Sequence, residues 1–295
     1  MTKISSKIIN SFNKIGIINS DSLELYSKRV RDRDDIEVYK CKHSGLILLS
    51  RTDHIEEYYY SKKTSEEGYT FVDDIKITSA ELEDNKRRAN QFEKNILGKK
   101  WLDFGTGNAQ LIELLKDKAE YAIGLELNSK YRKAALKSGL KIFDDLSMIE
   151  NDSIDVITLF HVFEHLVFPV EILKELRSKL VSGGCLILEV PHAHDILLET
   201  LCCEAFKDFT LWSEHLVLHN KESLKKILEY TDFKSIDIDG YQRYPLSNHL
   251  YWLRYGRPGG HEKWNHLNDQ KLSDAYSSFL KKNNLTDTLI ATCIK

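Results

Sequence analysis

Two glycines and an acid carry the clearest chemical signal in this chain. Gly105 and Gly107 follow the apolar stretch 100–104, and Glu126 ends the next apolar stretch. Because glycine has no Cβ atom, the turn lets the backbone approach a ligand closely. The helix expected after the turn presents free N–H groups at its start, and an acid at the end of the following strand can bind the two hydroxyls of a ribose. The spacing therefore predicts a site for a nucleoside-containing cofactor.

The residues around the turn select among such cofactors. A dinucleotide site has the pattern G-x-G-x-x-G/A, but Gln110 occupies the third position here and disfavours a nicotinamide enzyme. Asp103 precedes the turn, where a carboxylate repels a pyrophosphate and favours a positively charged ligand. S-adenosylmethionine (SAM) carries an ammonium, a sulfonium and a ribose. Residues 101–109 resemble the first motif, hhDhGxGxG/A, of the class I SAM-dependent methyltransferases.

Three further segments extend this resemblance in the expected order. Residues 142–146 are similar to the acidic turn that binds adenine in that family. Residues 155–166 are similar to the family's fourth strand and the segment that follows it. Residues 180–191 are similar to the glycine turn and the fifth strand. One glycine pair is a weak signal, whereas four ordered motifs are specific. The similarity is greatest to the subfamily of sugar, natural-product and ubiquinone-biosynthesis-like small-molecule methyltransferases.

The resemblance implies which residues bind the cofactor. Asp103 would orient the methionine amine, often through water, and Glu126 would hold the ribose. Asp145 would read adenine, and His161 would lie beside the methionine end. The full set that the resemblance implies is Asp103, Phe104, Gly105, Thr106, Gly107, Glu126, Leu127, Asp145, Leu146, Phe160 and His161.

Several histidines follow the predicted strands and are candidates for a catalytic base. Methyl transfer is a displacement at an electrophilic sulfonium carbon, so the protein mainly positions the two groups. A hydroxyl acceptor also has to lose its proton, commonly to His, Asp or Glu. His161 and His165 follow the fourth strand, and His192 follows the fifth. His215 lies in a segment that borders the acceptor pocket in similar enzymes, and we rank it slightly ahead of His165 as the base.

His161, Glu164 and His165 also have the spacing of one helical face. In the ubiquinone-pathway enzymes the similar segment Glu-x-x-Glu-His is interpreted as a metal site. A histidine stands at the first ligand position here, and magnesium prefers oxygen ligands. The sequence therefore predicts no metal. A metal site of these three residues, a base with its orienting partner, and a polar helix start remain as alternatives.

The elements that must position these residues alternate along the chain. We predict strands at 100–104, 121–126, 140–143, 154–160, 184–190, 234–239 and 287–294. We predict helices at 79–97, 108–117, 129–138, 169–180 and 221–230. Alternating strands and helices are typical of a parallel sheet, and the resemblance implies an antiparallel last strand. The expected fold class is α/β, with a Rossmann-like seven-stranded mostly parallel sheet, helices on both faces and an antiparallel last strand.

The remaining segments divide the chain into two predicted parts. Residues 1–78 form an N-terminal accessory segment, in which 37–40 and 46–49 are two candidate strands around a turn. Residues 79–295 form the SAM-binding methyltransferase domain. Within it, 240–285 is an aromatic-rich insertion between the last two strands. We interpret this insertion either as a substrate-binding lid or as a packing or dimer patch.

The composition limits which binding partners and which cellular compartment can be expected. Of 295 residues, 42% are apolar, and the net charge of −3 with a pI near 6.4 indicates no basic stripe for nucleic acid. We find no apolar run typical of a signal peptide or a membrane span. Five scattered cysteines favour a reducing cytoplasm. We therefore expect a cytoplasmic protein with no nucleic-acid or membrane partner, and with a homodimer as an open alternative.

These observations together predict SAM-dependent methyl transfer to a small-molecule acceptor. The first choice of acceptor is a hydroxyl of a sugar or of a surface-glycan or natural-product precursor. A C- or N-methyltransferase is the alternative among enzymes, and a SAM-binding interaction module without turnover is the alternative outside them. The segment after the predicted fourth strand lacks Asp/Asn-Pro-Pro-Tyr/Phe, which argues against amino groups of DNA bases as acceptors.

Overall fold

The chain alternates between strands and helices over most of its length. The computed structural model describes residues 7–55 and 79–295. The strands are β1 Leu23–Ser27, β2 Val38–Cys41, β3 Ile47–Leu49, β4 Lys100–Phe104, β5 Tyr121–Leu125, β6 Ile142–Phe143, β7 Ile154–Phe160, β8 Leu180–Pro191, β9 Val217–Leu218, β10 Lys234–Tyr241 and β11 Thr288–Ile294. The α-helices are α1 Lys7–Lys14, α2 Ser79–Ile96, α3 Gln110–Leu115, α4 Ser129–Lys137, α5 Pro169–Lys179, α6 Ile196–Glu199, α7 Glu204–Thr210, α8 Lys221–Tyr230, α9 Leu246–Tyr255, α10 Gly260–Lys263 and α11 Gln270–Lys282. Within these described ranges, no helix is long and apolar enough to cross a membrane.

The larger sheet has seven strands in the order β10-β11-β8-β7-β4-β5-β6. The strands from β8 to β6 pair in parallel with their neighbours. β11 is antiparallel to both β8 and β10. Helices flank the sheet, so the predicted Rossmann-like α/β fold with an antiparallel last strand is confirmed.

The strand order creates a crevice at the carboxyl end of β4. The chain runs from β4 outward through β5 and β6, and then returns to the opposite side of β4 as β7. Parallel neighbours need crossover connections, which α3, α4 and α5 supply. Open parallel sheets bind ligands outside the carboxyl ends of the strands at such a reversal. The glycine turn after β4 opens onto this crevice.

The central strands are covered on both faces. In β7 the residues Val156, Ile157 and Leu159 are buried, although they do not all point to the same face. In β4, Trp101 and Leu102 have no exposed surface. Continuous apolar runs of this kind are typical of parallel strands that pack on both faces. They place the strand ends, and the polar residues that follow them, at the edge of the core.

The helix after the glycine turn is shorter than predicted. It spans Gln110–Leu115 instead of 108–117. Gly107 and Ala109 adopt left-handed conformations, with φ of 54° and 57°. The helix therefore begins only after Ala109, and the turn presents more backbone to the crevice than the glycine pattern alone indicates.

The smaller sheet has four antiparallel strands in the order β1-β2-β3-β9. The strands predicted at 37–40 and 46–49 are confirmed as β2 and β3. The short strand β9 was not predicted, and its Val217 and Leu218 pair with Leu48 and Ile47 of β3. A strand pairing therefore joins the N-terminal part of the chain to a segment far along the sequence.

The two sheets share an apolar core. Phe12 of α1, Leu48 of β3 and Leu218 of β9 belong to one buried cluster. Leu102 of β4 and Leu188 of β8 belong to the same cluster. Full burial of a large aliphatic side chain contributes about 1.5–3 kcal/mol. The small sheet therefore stabilises the larger sheet as well as its own strands.

Substitution of a residue in this shared core should destabilise the whole protein. Leu48 is 1% exposed, whereas Leu25 in β1 is 47% exposed. Leu48→Ala should lower the free energy of unfolding by about 2–5 kcal/mol, because it leaves a cavity in the core. The matched control, Leu25→Ala, should cost about 0.5 kcal/mol or less. Urea unfolding followed by circular dichroism measures both values, and equal losses would contradict a shared core.

Candidate active site

A polar cavity of about 390 Å³ opens at the carboxyl ends of β4 and β7. Its wall is formed by Asp84 and Arg88 from α2, by the turn 105–108, by 160–161 at the end of β7, and by 243–244 after β10. The predicted cofactor residues that line it are Gly105, Thr106, Gly107, Phe160 and His161. The cavity thus lies at the reversal of strand order, where the fold places a ligand.

The glycine turn depends on close contact with the chain after β7. Gly105 adopts a φ of 75°, and its N–H donates to the Leu125 carbonyl of β5 at 2.8 Å. A Cβ atom on Gly105 would lie 2.4 Å from Cγ2 of Val162. The conformation and the available space therefore both require glycine at this position.

Glu126 holds the other side of the same turn. One carboxylate oxygen accepts a hydrogen bond from the Gly107 N–H at 2.7 Å, and the other accepts from the Asn128 N–H at 2.6 Å. Burial raises the pKa of Glu126, and these two donors oppose the rise. Each carboxylate oxygen has further lone pairs, so Glu126 can also accept hydrogen bonds from ribose hydroxyls.

Asp103 lies beneath the turn and outside the cavity lining. It is 5% exposed and accepts a hydrogen bond from the Thr158 hydroxyl at 2.7 Å. The indole N–H of Trp101 donates to the same hydroxyl at 2.9 Å. Burial raises the pKa of Asp103. Asp103 therefore braces β4 against β7, and contact with a methionine amine would need an intermediary such as water.

The residues predicted for the adenine side follow β5 and β6, outside the cavity lining. Asp145 caps the short 3-10 helix Leu146–Met148 by accepting a hydrogen bond from the Ser147 N–H at 2.7 Å. Two further residues of the predicted cofactor set also lie outside the lining: Leu127 after β5 is 52% exposed, and Phe104 at the end of β4 is buried. The whole predicted set therefore lies at the carboxyl ends of four adjacent strands, β7, β4, β5 and β6.

His161 has a constrained backbone and two engaged ring nitrogens. Its φ of 54° is uncommon for a residue with a side chain, and its N–H donates to the Glu189 carbonyl at 2.8 Å. Nδ1 lies 3.2 Å from a Glu164 carboxylate oxygen, and Nε2 lies 3.1 Å from a guanidinium nitrogen of Arg243. Burial and the Arg243 charge lower the pKa of His161, but the carboxylates of Glu164 and Glu189 outweigh them and raise it.

Glu189, which was not predicted as a site residue, organises the wall beside His161. Its side chain has no exposed surface and contacts Arg87 and Arg88 of α2, each at 2.7 Å. Burial raises the pKa of Glu189, but His161 and the two guanidinium groups outweigh it and hold the pKa well below the usual range. The sequence feature that could have identified Glu189 is an acid inside the apolar run 186–190, because a buried carboxylate requires cationic partners.

Asp84 and Arg243 extend these contacts across the cavity. Asp84 of α2 lies 2.6 Å from Arg87 and 2.8 Å from Arg243. Burial raises the pKa of Asp84, but the nearby guanidinium groups lower it by more. Neither residue was predicted, because no local pattern pairs a helix before β4 with a segment after β10. Residues that are far apart in the sequence therefore meet beside His161.

The other three histidines that were predicted as bases do not line the cavity. The Nδ1 atoms of His165, His192 and His215 each lie 2.7 to 2.9 Å from a backbone carbonyl oxygen. Burial lowers the pKa of His192 and of His215 to about 3. Of the four candidates, His161 is the one that reaches the cavity.

The aromatic residues of 240–285 have two different surroundings. Tyr244 lines the cavity. Tyr251, Tyr255 and Trp264 pack against one another, with ring centroids 4.6 to 5.8 Å apart. Aromatic packing therefore accounts for these three rings, while the start of the segment contributes to the cavity.

Two solved structures illustrate the similarity of this fold to known proteins. A SAM-dependent methyltransferase from Archaeoglobus fulgidus is 19% identical, with a TM-score of 0.51 over 74% of this chain and 95% of that one. A protein from Thermotoga maritima, described as a SAM-dependent methyltransferase and possible histamine N-methyltransferase, is 14% identical, with a TM-score of 0.47 over 72% of this chain and 95% of that one. At 19% identity, the first likeness shows a shared fold and no more. The TM-score of 0.47 for the second is too low to support a conclusion. No curated protein matches the sequence significantly.

A match to a sequence family model establishes which protein family this chain belongs to. A family model described as a methyltransferase domain matches residues 76–238, which is more than half of the chain. The matched range contains the glycine turn, Glu126, His161 and Glu189. The chain therefore belongs to the methyltransferase domain family, and it is an enzyme that transfers a methyl group.

Proposed function

We propose that this enzyme transfers the methyl group of SAM to a hydroxyl of a small molecule, such as a sugar or a surface-glycan or natural-product precursor. The observation that carries the proposal is the position of His161. It lines the cavity beside the glycine turn, and Glu164 contacts its ring from behind. A hydroxyl acceptor needs a base at this position, whereas a neutral amine attacks without one.

The proposed reaction is an in-line displacement. The acceptor oxygen forms a bond to the methyl carbon while the carbon–sulfur bond breaks, and the sulfur leaves as a neutral thioether. The acceptor proton passes to Nε2 of His161, whose Nδ1–H donates to Glu164. Glu164 orients the ring and offsets the charge that the ring gains. Arg243 contacts Nε2 in the structure, so its guanidinium turns aside when the acceptor binds.

We propose that SAM lies across the carboxyl ends of β7, β4, β5 and β6. The methionine end would contact the turn 105–107 and Phe160, and Glu126 would bind the ribose hydroxyls. Asp145 and the Leu146 backbone would bind adenine. These contacts are remote from the reacting carbon, and their binding energy serves to position the methyl group.

We propose residues 79–295 as the SAM-binding domain and 1–78 as its accessory segment, of which 7–55 are described. The insertion 240–285 would contribute to the acceptor site. Arg243 and Tyr244 support this role, because they line the same cavity as the glycine turn.

Glu126→Ala should weaken SAM binding about 10- to 100-fold, because it removes a charged acceptor for the ribose and releases the Gly107 N–H. Calorimetric titration with SAM measures the change. Glu120→Ala is the matched control, since Glu120 is an exposed acid just before β5 and Glu126 lies just after it. The control should bind SAM like the unchanged protein. Unaltered affinity in Glu126→Ala would contradict the proposed placement of the ribose.

The pH dependence of methyl transfer should report on His161. Only the unprotonated ring accepts a proton, so kcat/KM should rise as pH increases through the His161 pKa. Burial and Arg243 lower this pKa, but Glu164 and Glu189 raise it above the ordinary value of 6.5. The rise should therefore be centred above pH 6.5. Transfer of label from SAM to a panel of hydroxylated acceptors measures the profile.

His161→Gln should remove this rise and lower kcat by about 10²- to 10⁴-fold, with little change in SAM affinity. His266→Gln, which alters an exposed histidine, is the control and should keep the profile of the unchanged enzyme. Full activity of His161→Gln would reject a hydroxyl acceptor that uses this base. Label transfer to amines in that variant would favour N-methylation.

A further inference from the structure

The ion-pair network beside the cavity contains more guanidinium groups than carboxylates. Asp84 contacts Arg87, Arg88 and Arg243 at 2.6 to 2.9 Å. Glu189 contacts Arg87 and Arg88, each at 2.7 Å. Three arginines therefore share two carboxylates, and Arg243 has contact with only one of them. The network carries more positive than negative charge.

We propose, on the basis of the function inferred above, that Arg243 binds an anionic group of the acceptor, a carboxylate or a phosphate. In doing so, its guanidinium would move away from Nε2 of His161 and expose the base. Arg243 would then determine which acceptors bind and would also make the base accessible only when such an acceptor is present.

The guanidinium of Arg243 has donors to spare. It presents five N–H groups. One Nη atom lies 2.8 Å from an Asp84 oxygen, and the other lies 3.1 Å from Nε2 of His161. The Nε donor is buried and has no hydrogen-bond partner within residues 7–55 and 79–295. Because hydrogen bonds between a guanidinium and an oxyanion are stronger than those to a neutral acceptor, an anion is the most favourable additional partner.

The contact between Arg243 and His161 would block the proposed reaction. The arginine N–H donates to the same nitrogen that has to accept the acceptor proton. If the guanidinium moved away without a new partner, it would lose that hydrogen bond. An anionic group on the acceptor would replace the bond with a charge-assisted one. Binding of the acceptor and exposure of the base would therefore occur together.

Asp287, just before β11, holds the backbone that carries Arg243. Its carboxylate accepts hydrogen bonds from the N–H groups of Arg243 and Tyr244 at 3.0 to 3.1 Å. The side-chain amide of Gln242 donates to the same carboxylate at 2.7 Å. The main chain at 242–244 is thus fixed, and rotation of the arginine side chain is sufficient for the proposed movement.

Two other charged residues of the cavity lining are less suited to this role. Arg88 is engaged by both carboxylates of the network, and its side chain is 11% exposed, compared with 24% for Arg243. Glu81 also lines the cavity, but it is exposed to solvent, where its charge is screened. Arg243 is therefore the cation of the lining that an acceptor reaches most readily.

The test keeps the donor site filled with S-adenosylhomocysteine, because the methionine carboxylate of SAM is the competing partner for Arg243. The full-length chain carries isotope-labelled histidine rings, and NMR follows the His161 signal, which is assigned with His161→Gln. Inorganic phosphate and acetate are titrated separately at constant pH and ionic strength, with chloride as the matched salt. At least one of them should shift the His161 signal saturably, and neutral glycerol should not. The tighter probe identifies the class of anion.

Arg243→Gln should weaken binding of the anion that shifts the signal about 10- to 100-fold. Arg243→Lys should weaken it less, because lysine keeps the charge but loses the planar fork. Arg257→Gln removes an exposed arginine of the same insertion and should bind the anion like the unchanged protein. Circular dichroism confirms that the variants are folded, and calorimetry should show little change in their SAM affinity.

Three results would overturn the proposal: no saturable shift with either anion, an equal response in Arg243→Gln, or a loss of SAM affinity in Arg243→Gln that matches its loss of anion binding. None of these measurements involves methyl transfer. A failure of His161 as the base, or of hydroxyl groups as acceptors, would appear in the label-transfer assay and leave the anion titrations unchanged.

Discussion

Glu189 lies near the carboxyl end of the apolar strand β8 and carries a charge that has no exposure to solvent, and the cavity wall depends on how that charge is neutralised. A buried carboxylate is costly unless it is paired and hydrogen-bonded. Arg87 and Arg88 provide the pairing and hold α2 across the crevice. The backbone carbonyl of Glu189 also accepts the His161 N–H. One buried residue therefore positions both a covering helix and the candidate base.

His161 separates two regions of different electrostatic character. On one side, the carboxylates of Asp84 and Glu189 are matched by guanidinium groups. On the other side, the Glu164 carboxylate lies near the imidazole rings of His165 and His215. Within residues 7–55 and 79–295, each region keeps a buried polar atom without a hydrogen-bond partner, Nε of Arg243 in the first and one carboxylate oxygen of Glu164 in the second.

The parts of the fold that were predictable depend on local patterns. Apolar runs and turn residues located the strands of the larger sheet, and the alternation of strands with helices indicated a parallel sheet. The antiparallel last strand was implied by the resemblance to the class I SAM-dependent methyltransferases. Short elements were not predictable in this way. β9 has two residues and exists because β3 pairs with it, and α3 is shortened by the left-handed conformation of Ala109.

The glycine turn, the acids that follow the strands and a set of histidines able to act as bases are all evident from the order of amino acids. The packing of the elements brings His161 to the cavity, while His165, His192 and His215 bond backbone carbonyls elsewhere. The deciding contacts join residues that are distant in sequence, such as Arg87 and Glu189, which are 102 positions apart. Spacing along one strand or helix carries no information about such contacts, because they depend on how separate elements pack.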